Sequence, residues 1–187
     1  MHFSQWHIPL SDDRMTLSQA LNSLERVGAA PSEIPFIVRV MENPDYCNLR
    51  FNRFAGSVYL RQHDIIHILL GRGLLSQDEA FVIGFTMGSS GNLTVLEARI
   101  FSWISKHLYP CPYSFNDNDL FIYRKAIQLA SQMDVRRLDQ LNLSDFESWP
   151  LWALRRHLRI NVPALQAFYR WESCLYPDCQ ESRRIAA

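Results

Sequence analysis

The sequence predicts an all-α, single-domain protein with several helices. Apolar segments of helical length alternate with capping residues, glycines and prolines, and no run of alternating apolar and polar residues is flanked by hairpin turns. The chain has 187 residues, of which 48% are apolar and 20% charged, a composition that supports one sizeable core. Because no repeat or linker divides it, we expect one domain over residues 1–187, with residues 161–187 as a C-terminal helical extension and tail.

In the first half of the chain, local signals define four helical segments. Residues 11–13 or Thr16 can cap the first segment, and Gly28 ends it. Gly71 ends a strongly apolar third segment, and a Ser-x-x-Glu capping box from Ser76 to Glu79 opens the fourth. The predicted segments cover residues 17–27, 36–41, 57–70 and 76–87.

Four more segments are predicted in the second half. Asp117 or Asn118 can cap the second of them, Ser144 the third, and Pro163 can open the last one before a frayed tail. The predicted segments cover residues 93–108, 120–133, 144–158 and 164–171.

Composition and charge exclude several classes of protein. The 19 cationic and 19 acidic residues balance, which argues against a nucleic-acid-binding surface. No apolar stretch approaches the roughly 20 residues that cross a bilayer, and the N-terminus lacks the features of a signal peptide. The 4 cysteines do not form a zinc knuckle, and a core of this size needs no disulfides. We therefore expect a cytoplasmic protein with reduced thiols, either soluble or peripheral on the cytoplasmic face of the membrane.

The apolar segment 59–71 stands apart because it contains three residues that can bind metal. His63 and His67 are four residues apart, which places them about 40° apart around a helix, with Asp64 on the same side. That spacing lets two imidazoles reach one ion, as in the zincin helix. Glu79 follows after a tight Gly-Arg-Gly turn. Taken together, the pattern favours a divalent metal site.

Simpler explanations stay open for each of these residues. His63 and His67 can be buried histidines bonded to backbone carbonyls, with Asp64 holding one ring. Glu79 can serve only as the third residue of the capping box. A metallopeptidase is disfavoured because Asp64, rather than a glutamate, follows the first histidine, and Gly73 stands where a metzincin has its third histidine.

The run His63-Asp64-x-x-His67, with Glu79 twelve residues after it, resembles the signature of the Coq4 family of ubiquinone-biosynthesis proteins. Residues 59–62, residues 69–71 and the segment 149–160 are also similar to that family, so the likeness extends roughly over residues 20–160. The segment after Glu79 and the residues beyond 160 depart from the family pattern, so a divergent bacterial member that acts on another prenylated or lipid-like molecule fits the sequence as well as one that makes ubiquinone.

The resemblance implies an all-helical fold in which His63, Asp64, His67 and Glu79 hold a divalent metal, with Asp64 also available as an acid or base. Zn²⁺ is the first expectation, and Fe²⁺, Mn²⁺ and Mg²⁺ are alternatives. The resemblance further implies a groove for a polyprenyl tail and oxidative removal of the C1 carboxyl group of a polyprenyl benzoate. It implies a prenylated quinone precursor and other quinone-biosynthesis proteins as partners, and a homodimer or a membrane surface is a further expected partner.

For the groove we expect Phe81, Gly84, Phe85 and Gly88, with close helix packing as the alternative explanation of the two glycines. The predicted function is therefore that of a Coq4-like metal-binding protein that acts on, or presents, a prenylated ring. Two alternatives are a non-catalytic lipid-binding or scaffold protein with a structural metal, and a zincin-like metallohydrolase.

Overall fold

The computed structural model describes residues 3–27, 55–111 and 114–186, and these residues form eight α-helices and no strand. The helices are α1 (Leu17–Glu25), α2 (Leu60–Leu70), α3 (Ser76–Ser89), α4 (Val95–His107), α5 (Asp117–Gln132), α6 (Leu151–His157), α7 (Val162–Leu175) and α8 (Gln180–Ala186). Short 3-10 helices lie at Phe3–Gln5, Leu138–Gln140 and Leu143–Phe146. The all-α prediction is confirmed. The predicted segment 36–41 and the predicted helix end at Gly28 lie outside the described residues.

Side-chain caps begin α1, α4, α5 and α7, and one glycine ends α2. Thr16 caps α1 by accepting a hydrogen bond from the Gln19 N–H. Gly71 ends α2 in the left-handed region, with φ of 69°, where glycine has no Cβ to clash. Helix α5 begins at residue 117 rather than 120 because Asn116, not Asp117 or Asn118, accepts the hydrogen bonds of the first turn.

Two predictions for the C-terminal third are wrong. Ser144 lies in a 3-10 turn, and α6 begins only after Pro150, where extended backbone precedes the first helical residue. Helix α7 continues to Leu175, and the tail predicted as frayed forms helix α8, in which Ser182 is fully buried. The tail is ordered because its polar side chains bond to buried partners in α3 and α7.

Helix α3 lies at the centre of the fold, and 12 of its 14 residues are buried. Its glycines face the backbone of α5, and Phe81 packs edge to face against Tyr169 of α7, with the ring centroids 5.4 Å apart. Helix α2 packs against α3 and α1. Helices α2 and α3 therefore pack against each other in the interior, and the C-terminal helices cover the turn that connects them. In the described part of the chain, no helix has the length and apolar character needed to span a membrane.

Candidate metal centre

Helix α2 presents two imidazoles on one face, and apart from His67 its residues from Ile65 to Leu70 are all apolar. His67 is completely buried, and the side chain of His63 is 13% exposed. The Nε2 atoms of the two rings lie 2.9 Å apart, and the rings meet edge to face with their centroids 4.7 Å apart. The helical i, i+4 spacing therefore brings both ring nitrogens to one point, as the sequence predicted.

Glu79 reaches the same point from the first turn of α3. Its Oε2 lies 2.9 Å from His63 Nε2, and its Oε1 lies 3.3 Å from His67 Nε2. The donor atoms of the three residues all lie within 4.8 Å of one another. The short turn after Gly71 reverses the chain, so that the end of α2 and the start of α3 lie side by side.

The capping-box explanation of Glu79 is wrong, because α3 is capped through a different carboxylate. Leu75 is the N-cap residue, and its backbone N–H donates to Asp78 Oδ2 at 3.2 Å. Asp78 thus occupies the third helical position that the sequence gave to Glu79. One position further along the helix, the side chain of Glu79 is available to the histidines.

The electrostatics of the three residues favour an ionised Glu79. Burial raises the pKa of the Glu79 carboxyl, but the charges and hydrogen bonds of His67 and His63 outweigh burial and hold the pKa well below its usual range. Burial raises the pKa of the neighbouring Asp64, against the opposing effect of both imidazoles. The surroundings therefore lower the pKa of the Glu79 carboxyl and raise the pKa of the Asp64 carboxyl.

The distances between the donor atoms fit a single first-row divalent ion. An ion about 2.0–2.1 Å from two donors, at angles of roughly 90–110°, holds those donors about 2.8–3.5 Å apart. The separations of 2.9, 2.9 and 3.3 Å fall in that range. Among the described residues, His67 Nδ1 has no hydrogen-bond partner, so Nε2 is the nitrogen through which this ring makes its polar contacts. Two histidines and one glutamate form a ligand set that zinc uses in catalytic sites.

Three of the four predicted ligands come together, and the fourth does not join them. Asp64 is partly buried on α2, but its carboxylate is not among the donor atoms that cluster in the described part of the chain. Asp64 follows His63 in sequence and points about 100° away from it around the helix. The structure therefore supports a three-residue donor set, and a role for Asp64 as a ligand or acid stays a prediction.

The residues predicted to line a lipid groove lie in the packed interior. A Cβ atom on Gly88 would lie 2.5 Å from the backbone oxygen of Ile127, and one on Gly84 would overlap the backbone oxygen of Tyr123. Phe81 and Phe85 are completely buried and stack on each other at 5.8 Å. The two glycines therefore allow α3 and α5 to approach closely, which was the alternative explanation, and no groove opens at them in the described structure.

Sequence reasoning missed the residues that hold the C-terminal end of α2. The buried guanidinium of Arg155 donates to the backbone oxygens of Leu69 at 2.9 Å and Ile68 at 3.3 Å, and Tyr169 Oη donates to the Leu70 oxygen at 2.5 Å. These carbonyls belong to the last helical turn, which lacks a full set of intrahelical partners, and the Ile68 oxygen also accepts a hydrogen bond from the Gly71 N–H at 3.2 Å. Burial lowers the pKa of Arg155 to about 10. Arginine in a short helix gives no signal of such a contact, because its usual place is on the surface.

The class of protein defined so far is an all-helical protein with a candidate metal site of two histidines and one glutamate. Comparison of the chain with models of known families, with curated proteins and with solved structures gives no match.

Proposed function

We propose that this protein is a metal-dependent, Coq4-like protein that acts on a prenylated aromatic ring or a related lipid. The observation that supports the proposal most is the convergence of His63, His67 and Glu79 from two helices. Zn²⁺ is the ion we expect first, and the mixed nitrogen and oxygen donors also suit Fe²⁺ or Mn²⁺. When bound, such an ion would act as a Lewis acid that polarises a carboxylate or carbonyl oxygen.

The accessibility of the site favours a role in chemistry over a purely structural one. Structural zinc sites are closed by four protein ligands, whereas catalytic sites keep three ligands and an open position. The side chain of Glu79 is 27% exposed and that of His63 is 13% exposed, so two of the three donor residues are in reach of solvent, while His67 is completely buried. A small anionic group of a substrate can therefore approach the same point.

The chemistry of the substrate follows from the donors and from the Coq4-like motif. A benzoate-type carboxylate is an anionic oxygen ligand of the kind that a divalent ion with an open position accepts. Asp64, one residue from His63 and partly buried, is our candidate for holding or accepting a proton beside that group. The prenyl tail would extend away from α3, because the face of α3 at Gly84 and Gly88 is filled by α5.

Helix α4 supports the proposal that the protein works at a lipid surface. Val95, Leu96, Ile100 and Trp103 are exposed on one side of this helix. The cation Arg99 is exposed among them, and the one acidic residue of the helix, Glu97, is bonded to Thr94 in the cap. An exposed apolar stripe with tryptophan and cations is typical of helices that lie on anionic membranes. A prenylated substrate is found at such a surface.

Two other functions remain as alternatives. In a non-catalytic scaffold or lipid-binding protein the ion would be structural, and its removal would cost stability without loss of lipid. In a zincin-like metallohydrolase the ion would be present without any lipid partner. The second alternative is weakened because Asp64 is shorter than the glutamate that serves as base in that class.

The proposal is tested by analysing metal and lipid in the same purified sample. The full chain, expressed in bacteria, is analysed by elemental mass spectrometry for metals and by lipid mass spectrometry after extraction. We expect one divalent ion per chain together with a prenylated ring compound, and loss of the metal in His67→Ala. Metal without any lipid would favour the metallohydrolase, and lipid retained fully after chelation would favour the scaffold.

A further inference from the structure

The turn between the two metal-binding helices contains a completely buried arginine. The guanidinium of Arg72 donates two hydrogen bonds to Glu172 of α7, from Nη1 to Oε1 at 2.9 Å and from Nη2 to Oε2 at 2.5 Å. Its central carbon lies 3.9 Å from the ring centroid of Phe81 and 4.3 Å from that of Tyr169. The Glu172 carboxylate outweighs the effect of burial and raises the pKa of Arg72. A bidentate pair between two aromatic rings leaves this side chain little freedom.

The backbone of Arg72 is bonded directly to a ligand residue. Its N–H donates to the backbone oxygen of His67 at 3.0 Å, which closes the end of α2. The side chain reaches α7, so a single residue joins the metal-binding helix to the C-terminal part of the chain. Gln77 reinforces the link by donating to Glu172 at 2.7 Å and to Ser182 at 2.6 Å.

A second buried pair holds the residue next to Glu79. Asp78 precedes the glutamate, is completely buried, and forms an ion pair with Arg184 of α8. The guanidinium of Arg184 also occupies the space that a Cβ atom on Gly73 would need, so this turn position accepts no larger residue without displacing Arg184. Both ends of the turn, beside His67 and beside Glu79, are therefore fixed by helices from the C-terminal part of the chain.

We infer that Arg72 is a positioning residue for the metal site, and that its pair with Glu172 sets the turn that returns Glu79 to His63 and His67. This role depends on the proposed function, since it requires that the three residues bind an ion. Interactions that orient metal ligands typically change metal affinity by about 10–100-fold when they are removed. Arg72 touches neither the ion nor the substrate in this arrangement, so its effect is on geometry and affinity.

The test replaces the buried pair by apolar residues of similar length, in the double variant Arg72→Met/Glu172→Met. Removing both charges avoids an unpaired buried carboxylate, and such replacements often preserve stability. Co²⁺ is the probe, because its visible absorption reports coordination geometry as well as affinity. Arg159→Met, which removes an exposed pair with Asp134, is the matched control. We expect Co²⁺ affinity to fall about 10-fold in the double variant, with a changed spectrum, and to stay unchanged in the control.

Parent-like affinity and spectrum in the folded double variant would overturn the positioning role while leaving the metal site intact. Absence of Co²⁺ binding by the parent protein would instead refute the proposed function itself, so the two failures are distinguishable. If the double variant does not fold, as judged by circular dichroism, Glu172→Gln takes its place, because it keeps the side-chain shape but replaces one acceptor oxygen by an NH2 donor, which breaks the bidentate pair with Arg72. A spectrum of Glu172→Gln identical to the parent's, at identical affinity, would also overturn the role.

Discussion

The close approach of α3 and α5 leads to a prediction about Gly88. In Gly88→Ala the new methyl carbon would lie 2.5 Å from the Ile127 backbone oxygen and 2.9 Å from its Cα atom. Ordinary contacts of this kind are about 3.5 Å or longer, so one helix must shift by roughly 0.5–1 Å. Because the obstacle is backbone, we expect a steric cost of about 3 kcal/mol, of which the higher helix propensity of alanine offsets about 1 kcal/mol.

Urea unfolding, followed by circular dichroism, measures the net loss, which we expect to be about 2 kcal/mol. For a chain of this size, that corresponds to a melting temperature lower by about 4–8 °C. Gly91→Ala is the control: its φ of 73° is strained for alanine, but no atom lies within 4 Å of the new methyl group. Its cost should therefore be about 1 kcal/mol and independent of packing. Unchanged or increased stability of Gly88→Ala would refute the close contact and reopen the possibility of a groove at α3.

Three further predictions concern the metal site, α2 and α4. Zn²⁺ affinity should decrease as the pH is lowered, because a metal binds nitrogen ligands only in their deprotonated form, while Glu79, whose pKa is lowered, stays ionised. Isothermal titration at several pH values measures this decrease, and Glu79→Gln should bind Zn²⁺ more weakly than the parent at each pH; parent-like affinity in Glu79→Gln would contradict this account. Arg155→Met should lower the free energy of unfolding by about 3 kcal/mol, since it removes the guanidinium bonds to the backbone oxygens of Leu69 and Leu10, while the exposed Arg156→Met should change it by less than about 0.5 kcal/mol. Trp103→Ser should reduce co-flotation with anionic vesicles several-fold relative to neutral ones, and equal flotation of parent and variant would remove α4 as the membrane face.

Local signals were enough to predict most of the helices. The Thr16 cap, the left-handed Gly71 and the proline at the start of α7 act within a few residues of the helix end, so the sequence contains the whole determinant. The start of α5 was misplaced because three consecutive polar residues, Asn116 to Asn118, are all suitable caps, and only the first is used. The cap of α3 was placed one residue too far along the chain for another reason: its N-cap is Leu75, whose side chain cannot accept a hydrogen bond, whereas the next residue, Ser76, can.

The order of the C-terminal tail could not be predicted, because it depends on contacts between distant residues. Arg184 and Ser182 look like a polar, exposed end of the chain, yet they bond to Asp78 and Gln77, about a hundred residues earlier. No periodicity in the tail indicates these partners. The partner of the glycine-containing face of α3 could not be predicted for a similar reason, since an apolar surface with glycines is suited equally to a lipid and to a neighbouring helix.

The same difference between local signals and contacts of distant residues applies to the candidate site. The two histidines could be predicted because their spacing within one helix determines their geometry. The position of Glu79 depends on the direction of the turn after Gly71. Buried ion pairs with α7 and α8 stabilise this turn, and their partners lie about a hundred residues further along the chain, so the sequence near Glu79 could not predict where its side chain would lie. Asp64 was included by its position in the motif, and its distance from the cluster reflects the 100° step between successive residues of a helix.

The central claim is that His63, His67 and Glu79 bind one divalent ion, and the most direct test is zinc stoichiometry. Metal-free protein is incubated with excess Zn²⁺, desalted and analysed by elemental mass spectrometry. We predict about one zinc per chain for the parent and none for His63→Ala/His67→Ala. The control His107→Ala, at an exposed histidine, should retain the parent stoichiometry. Full zinc content in the double variant, or none in the parent, would contradict the claim.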